Sequence, residues 1–155
     1  MERWIVVLAL GVLILSCSGA DGVAVATEDE AMLAASQRAR DTLDSFIERV
    51  TRPDPPSSRS IRARVGSGAG AEPIWLDEPV FRNGSFRAIV GNLPGEVLDI
   101  EIGDAVVVSR SEVLDWLFVE ERCMAGAYTL RVDRARMTDA ERAAFDRSLL
   151  VPFCE

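Results

Sequence analysis

The sequence contains no histidine and no lysine, so all 17 of its basic residues are arginine. Without histidine, the chain lacks the most common general base near neutral pH and the most common metal ligand. Without lysine, it lacks Schiff-base chemistry and the lysine that grips phosphate in a P-loop. There are three cysteines, and no two form a CxxC pair. These absences exclude most familiar catalytic sites and predict neither a metal site nor a cofactor.

Positive charge is also scarce, because 25 acidic residues against 17 arginines give a formal net charge of −8. Nucleic-acid binding requires a cationic surface that neutralises phosphates, so the composition argues against a nucleic-acid partner. What is present is a chain of 155 residues with 48% hydrophobic content. That is enough for one globular domain with its own core.

The N-terminus predicts export. The run Trp4–Leu15 is apolar but too short to span a bilayer, which is typical of a signal peptide. It ends in Ile14–Cys17, which resembles a bacterial lipoprotein signal, so we expect lipid attachment at Cys17 and a membrane anchor facing the periplasm or the cell surface. Alternatives are cleavage after Ala20 or Ala26, giving a secreted soluble protein, and an uncleaved anchor.

Helix signals occur at both ends of the exported part. Thr27 and Glu30 form a capping-box pattern, and apolar residues then recur on one helix face as far as Val50. Thr138 and Glu141 repeat that pattern before a short helix that ends near Leu149. The predicted divisions of the chain are a signal peptide at 1–16, a tether at 17–27, a domain at 28–150 and a tail at 151–155.

Between the helices the apolar period changes to two, which predicts strands. The predicted strands are Ile61–Val65, Ile74–Phe81, Ser85–Val90, Ala105–Ser109, Leu114–Val119 and Ala127–Val132. Asn83-Gly84 is a strong hairpin signal, and a second hairpin is predicted around Arg122–Gly126. The fold class is therefore α+β: a strongly twisted antiparallel sheet of about five or six strands, one long N-terminal helix and a short C-terminal helix.

Several short motifs resemble one bacterial family. They are Gly103-Asp104, Asp115-Trp116, Gly126–Thr129 followed by Arg131, and Arg136–Asp146. Over residues 31–146 the chain resembles the YegJ-like domain known as domain of unknown function 2314 (DUF2314). Members often carry an export signal, which agrees with the N-terminus, but the resemblance implies no activity. Ala127 is a departure, because that family commonly has a second glycine there.

The motif residues allow two interpretations. If Asp115 and Arg131 face each other across the second hairpin, their pairing is a structural staple; the alternative is a ligand-binding role. Trp75, Trp116 and Tyr128 form either an aromatic binding groove or part of the core. The candidate binding or structural residues are Trp75, Asp104, Asp115, Trp116, Tyr128, Thr129 and Arg131.

The two cysteines outside the signal sequence are Cys123 and Cys154. In an oxidising compartment they could form a disulfide, for which the chain-entropy model gives roughly 3.5 kcal/mol. The alternative is two unrelated buried thiols, since sequence alone does not fix the pairing.

These observations favour a non-enzymatic, lipid-anchored envelope protein that binds another protein or a small ligand. The first alternative is a carboxylate-dependent enzyme, with Asp115 or Asp104 as acid/base and Arg131 as an anion clamp. The second is an inhibitor or immunity-type protein, whose acidity would suit a basic partner.

Overall fold

The computed structural model describes residues 21–66, 71–92 and 100–155; the predicted signal peptide at 1–16 and Cys17 lie outside these residues. The predicted α+β class with one antiparallel sheet is confirmed. No helix within the described ranges is long and apolar enough to cross a membrane. The helices are α1 (Asp21–Asp41), α2 (Leu43–Val50), α3 (Tyr128–Arg136) and α4 (Asp139–Ser148). The strands are β1 (Arg59–Val65), β2 (Glu72–Arg82), β3 (Ser85–Val90), β4 (Ala105–Ser109), β5 (Val113–Glu120) and β6 (Cys123–Gly126).

The N-terminal helical region differs from the prediction at its start and in its middle. It begins at Asp21, so Thr27 lies within the helix and the predicted N-cap is wrong. The segment 21–26 contains no proline and continues the helix upstream of that capping pattern. The helix is interrupted at Thr42, whose hydroxyl donates to the Arg38 carbonyl at 2.8 Å. Such back-bonding competes with the regular ladder and bends helices.

The sheet has six strands in the order β4-β3-β2-β1-β5-β6, and each neighbouring pair is antiparallel. The turn between β2 and β3 has positive φ at Asn83 (50°) and Gly84 (78°). These angles fit the tight hairpin turn that Asn-Gly predicts. A register shift opposite Arg62 and Ala63 leaves Leu114 as an extra residue in β5. The bulge changes which face of the sheet the following side chains occupy.

One face of the sheet packs against α1 and α2. Phe46 of α2 is fully buried at its centre, with its ring 5.3 Å from that of Trp116 and 6.2 Å from that of Phe86. Trp116 and Phe118 share this face, and their rings stack at 5.8 Å. The helix stripe predicted from the sequence supplies Ala39, Leu43, Phe46 and Val50 to the same core.

The second hairpin differs from the prediction. Its returning strand is β6, Cys123–Gly126, and the residues predicted as the strand Ala127–Val132 instead begin α3. Gly126 and Ala127 both have positive φ, at 72° and 55°, and this ends the strand. The alternation of Tyr128, Leu130 and Val132 is compatible with a short helix as well as with a strand. The hydrogen bonds that the backbone of this segment makes decide which of the two forms.

The C-terminal segment returns to the sheet. Thr138 and Glu141 form the predicted capping box at the start of α4. After α4, the Met124 N–H donates to the Pro152 carbonyl at 2.8 Å, and the Cys154 N–H donates to the Met124 carbonyl at 2.9 Å. A disulfide joins Cys123 to Cys154. The segment therefore lies along the outer edge of β6 and helps to cover a second apolar cluster, on the other face of the sheet, made of Trp75, Leu117, Val119, Met124, Ala127, Leu130, Leu149, Val151 and Phe153.

Candidate functional site

Asp115, on β5, is fully buried, and both of its carboxylate oxygens accept hydrogen bonds. Oδ1 accepts from the Trp116 N–H at 2.8 Å and from the Tyr128 N–H at 3.1 Å. Oδ2 accepts from the Thr129 N–H at 2.7 Å and from the Thr129 hydroxyl at 2.6 Å. All four partners are donors, an arrangement that suits an ionised carboxylate.

The Asp115 carboxylate acts as the N-cap of α3, although Asp115 belongs to β5. Ala127 stands at the N-cap position of α3 and has no side-chain oxygen to offer. Asp115, at a sequence separation of 13 from Tyr128, instead binds the first N–H groups of the helix. Negative charge at a helix N-terminus is also favoured by the helix dipole. Burial raises the pKa of Asp115 above its ordinary value of 3.8, while the hydrogen bonds from Thr129, Trp116 and Tyr128 oppose that shift.

Arg131 does not pair with Asp115, so the predicted staple is wrong in its second partner. Arg131 lies one turn into α3; its Nε donates to the Gly126 carbonyl and its Nη2 to the Cys154 carbonyl, each at 3.0 Å. Its guanidinium also lies 4.6 Å from the centre of the Phe153 ring. Burial lowers the pKa of Arg131, although an arginine keeps its charge. Arg131 therefore ties the C-terminal segment to the β5–β6 hairpin.

The three aromatic candidates do not form one groove. The Trp116 and Tyr128 rings meet edge to face at 5.7 Å, whereas Trp75 belongs to the cluster on the other face of the sheet. The Trp116 indole donates to the Ala39 carbonyl at 3.0 Å, which fixes α1 against β5. This carbonyl is one of the last in α1, where the break at Thr42 leaves backbone acceptors for other partners.

Two residues at this site were missed by sequence reasoning, and both come from α1 and its end. The Arg38 guanidinium lies 5.3 Å from the centre of the Tyr128 ring. The Thr42 and Tyr128 hydroxyls are 3.2 Å apart. Their spacing of four residues beside the apolar helix face was the available signal. This spacing does not indicate which distant element Arg38 and Thr42 contact.

Gly126 packs tightly against β5. Its φ is +72°, and an added Cβ would lie 2.3 Å from the Trp116 carbonyl oxygen and 2.5 Å from the Trp116 ring. Gly84 is a natural control, because its φ is +78° and nothing lies within 4 Å of an added Cβ. The two positions share the backbone requirement and differ in the space available.

We therefore expect Gly126→Ala to lower the free energy of unfolding more than Gly84→Ala does. Both variants carry the left-handed backbone cost of roughly 1 kcal/mol, and Gly126→Ala adds an overpacking cost of about 1–3 kcal/mol. Urea denaturation of both variants measures the difference. Equal destabilisation would mean that Trp116 moves aside without cost.

Asp104 is not part of this arrangement. It lies in an exposed turn before β4, where its Oδ2 accepts from the Glu101 N–H at 2.8 Å. No group of three or more potential metal ligands occurs among the described residues. The acidic, hydroxyl and arginine side chains around Tyr128 thus hold β5, β6, α3 and the C-terminal segment together. The hydroxyl that lies beside the Asp115 carboxylate, that of Thr129, is itself fully buried.

The chain is similar in sequence to known bacterial proteins. The Escherichia coli (strain K12) "Uncharacterized protein YegJ" is 27% identical over 103 residues, which cover 66% of this chain and 67% of that protein. A Neisseria meningitidis serogroup B protein described as "Putative ankyrin repeat protein" is 30% identical over 86 residues, covering 56% of this chain and 34% of that protein. No solved structure matches the chain.

The model of one protein family matches residues 29–153, a range that contains all the candidate binding or structural residues, while Cys17 and Cys154 lie outside it. Its description is "Uncharacterized protein conserved in bacteria (DUF2314)". Since this match covers most of the sequence, the chain belongs to the DUF2314 family of bacteria.

Proposed function

We propose that the protein is an exported, lipid-anchored module of the bacterial cell envelope that binds a partner without catalysing a reaction. The observation that carries this proposal is the hydrogen bonding of Asp115, the buried acid of the Asp115-Trp116 motif. Both of its oxygens are occupied by donors from β5 and α3. A general acid or base must reach the proton it transfers, and these contacts commit the carboxylate to the fold.

The disulfide supports the proposed location. Cys123 and Cys154 are joined in the structure, and such bonds persist in oxidising compartments such as the periplasm and the cell surface. The N-terminal sequence Ile14–Cys17 supplies the proposed route, with lipid attached at Cys17.

Intact-mass measurement of protein purified from membranes tests this proposal. We expect a chain that begins at Cys17, carries acyl groups and has no thiol that can be alkylated before reduction. The Cys17→Ser variant should lose the acyl mass and leave the membrane fraction, while keeping the disulfide. A full-length, unacylated chain with Cys123 and Cys154 both reduced would refute the proposed location.

The absence of catalysis is tested with conservative variants. The proposal expects Asp115→Asn to act only through stability, so any effect on partner binding should disappear under conditions where the variant is fully folded. A folded Asp115→Asn protein that has lost a turnover shown by the parent would establish an enzyme instead.

A further inference from the structure

A groove runs between α1 and α3 beside Tyr128. The groove is open to solvent and has a volume of about 540 Å³. Its walls are mostly apolar because the helices present small side chains to each other there. These side chains are Ala31, Ala34, Ala35, Val132 and Ala135. A row of short side chains on two neighbouring helices leaves a shallow trough that an apolar chain or ring can fill.

The charge of the groove has the opposite sign to that of the protein. Its described lining includes Arg38, Arg131 and Arg136 and no acidic residue, in a chain with a net charge of −8. Arg38 and Arg131 stand near Tyr128, one from each helix. None of the ion pairs between described residues involves Arg38 or Arg131. The hydrogen bonds that Arg131 makes go to the carbonyl oxygens of Gly126 and Cys154.

We propose that this groove binds a small organic carboxylate with an apolar body. The carboxylate would lie at Arg38, whose guanidinium offers paired donors to a planar anion, with the positive charge of Arg131 beside it. The apolar body would lie along the alanines of α1 and α3. This assignment rests on the proposed binding function and specifies its ligand class. An inorganic anion would leave the apolar walls unused, and an uncharged ligand would leave the arginines unused.

The test uses water-soluble probes that share one body. The full chain, in a mild neutral detergent, is titrated calorimetrically with 4-phenylbutyrate, 4-phenylbutanol and 4-phenylbutylamine. We expect saturable binding of the carboxylate with a Kd near or below about 1 mM, as is usual for a ligand of this size. The alcohol should bind at least tenfold more weakly and the amine not at all. The alcohol also measures partition into detergent.

Two variants locate the site. Arg38→Gln should weaken carboxylate binding about tenfold without affecting the fold, because Arg38 is exposed and its guanidinium lies over the Tyr128 ring. Arg40→Gln is the matched control, since it makes the same charge change on the same helix and its side chain binds Gln37 outside the groove. Ala34→Phe should abolish binding by filling the trough, and thermal melting verifies that each variant is folded.

Three results would overturn the assignment: no saturable binding of 4-phenylbutyrate, equal binding of the alcohol, or equal losses in Arg38→Gln and Arg40→Gln. They are distinguishable from failure of the proposed function. An acylated, oxidised protein that binds none of the probes overturns the groove alone. Specific binding by a chain that is unprocessed and reduced supports the groove and refutes only the proposed location.

Discussion

Replacing Asp115 with alanine is expected to destabilise the protein by about 3–5 kcal/mol, because several buried donors lose their acceptor at once. The Thr129 hydroxyl and the N–H groups of Tyr128 and Thr129 have no other acceptor in the described structure. Asp115→Asn should cost less, about 2–3 kcal/mol, since one oxygen remains while the new amide group faces a donor. Urea denaturation measures both.

Two controls make that expectation specific. Asp104→Asn makes the same chemical change in an exposed turn and should cost less than about 1 kcal/mol. Thr129→Ser keeps a hydroxyl for Asp115, whereas Thr129→Val removes it, so only the valine variant should lose about 1 kcal/mol or more. An Asp115→Asn protein as stable as its parent would show that the carboxylate is not needed to hold α3.

The dependence of stability on pH separates Asp115 from surface acids by its sign. The pKa of Asp115 is raised in the folded state, so the folded protein holds this proton more tightly than the unfolded chain does. Its contribution to stability is complete below about pH 4 and declines as pH rises through the folded pKa. The hydrogen bond from the Arg49 guanidinium lowers the pKa of Glu120 in the folded state. The contribution of Glu120 to stability is therefore present above its ordinary pKa of 4.5 and is lost as pH falls. The Asp115→Asn and Glu120→Gln variants should therefore remove opposite slopes.

Loss of the disulfide is the second large effect expected. The Cys123→Ser/Cys154→Ser protein should be less stable than the parent by roughly 3.5 kcal/mol, since the bond closes a loop with a sequence separation of 31. The C-terminal segment should be affected first, because its backbone bonds to Met124 and the contact of Arg131 with the Cys154 carbonyl lie beside the bond. Denaturation gives the total, and hydrogen exchange at the Met124 and Cys154 amides gives its location.

The reduced parent protein is the control for that variant, because it removes the covalent bond without changing the sequence. The two should unfold at the same urea concentration. If the double variant is as stable as the oxidised parent, the hydrogen bonds to Met124 and the packing of Phe153 hold the segment without help.

The parts of the fold that sequence reasoning predicted are those specified by neighbouring residues. Asn83-Gly84 specifies its own turn, Thr138 and Glu141 specify the start of α4, and alternation specifies β1 to β4. The prediction of a strand where α3 lies was wrong for a physical reason. Tyr128, Leu130 and Val132 fit either a strand or a helix, and what selects the helix is a carboxylate on β5 that no local pattern reveals.

The candidate site was predicted in its members and not in its contacts. Asp115, Trp116, Tyr128 and Thr129 do meet, but Arg131 turns to the C-terminal segment because it lies on a helix. Arg38 joins them through tertiary packing, which spacing along the chain cannot give. Ala127 has a φ of 55°, a conformation that glycine adopts more easily than alanine does.

Because α3 takes its starting point from Asp115, it has no autonomous beginning. A synthetic peptide covering Tyr128–Arg136 would lack the group that fixes its first turn and, at this length, would be mostly unstructured in water. In the intact protein the first-turn amides of α3 should become accessible to solvent only when β5 separates from them. The opening of the first turn of α3 is thus coupled to its separation from β5. Hydrogen exchange at the Thr129 amide therefore reports on that separation.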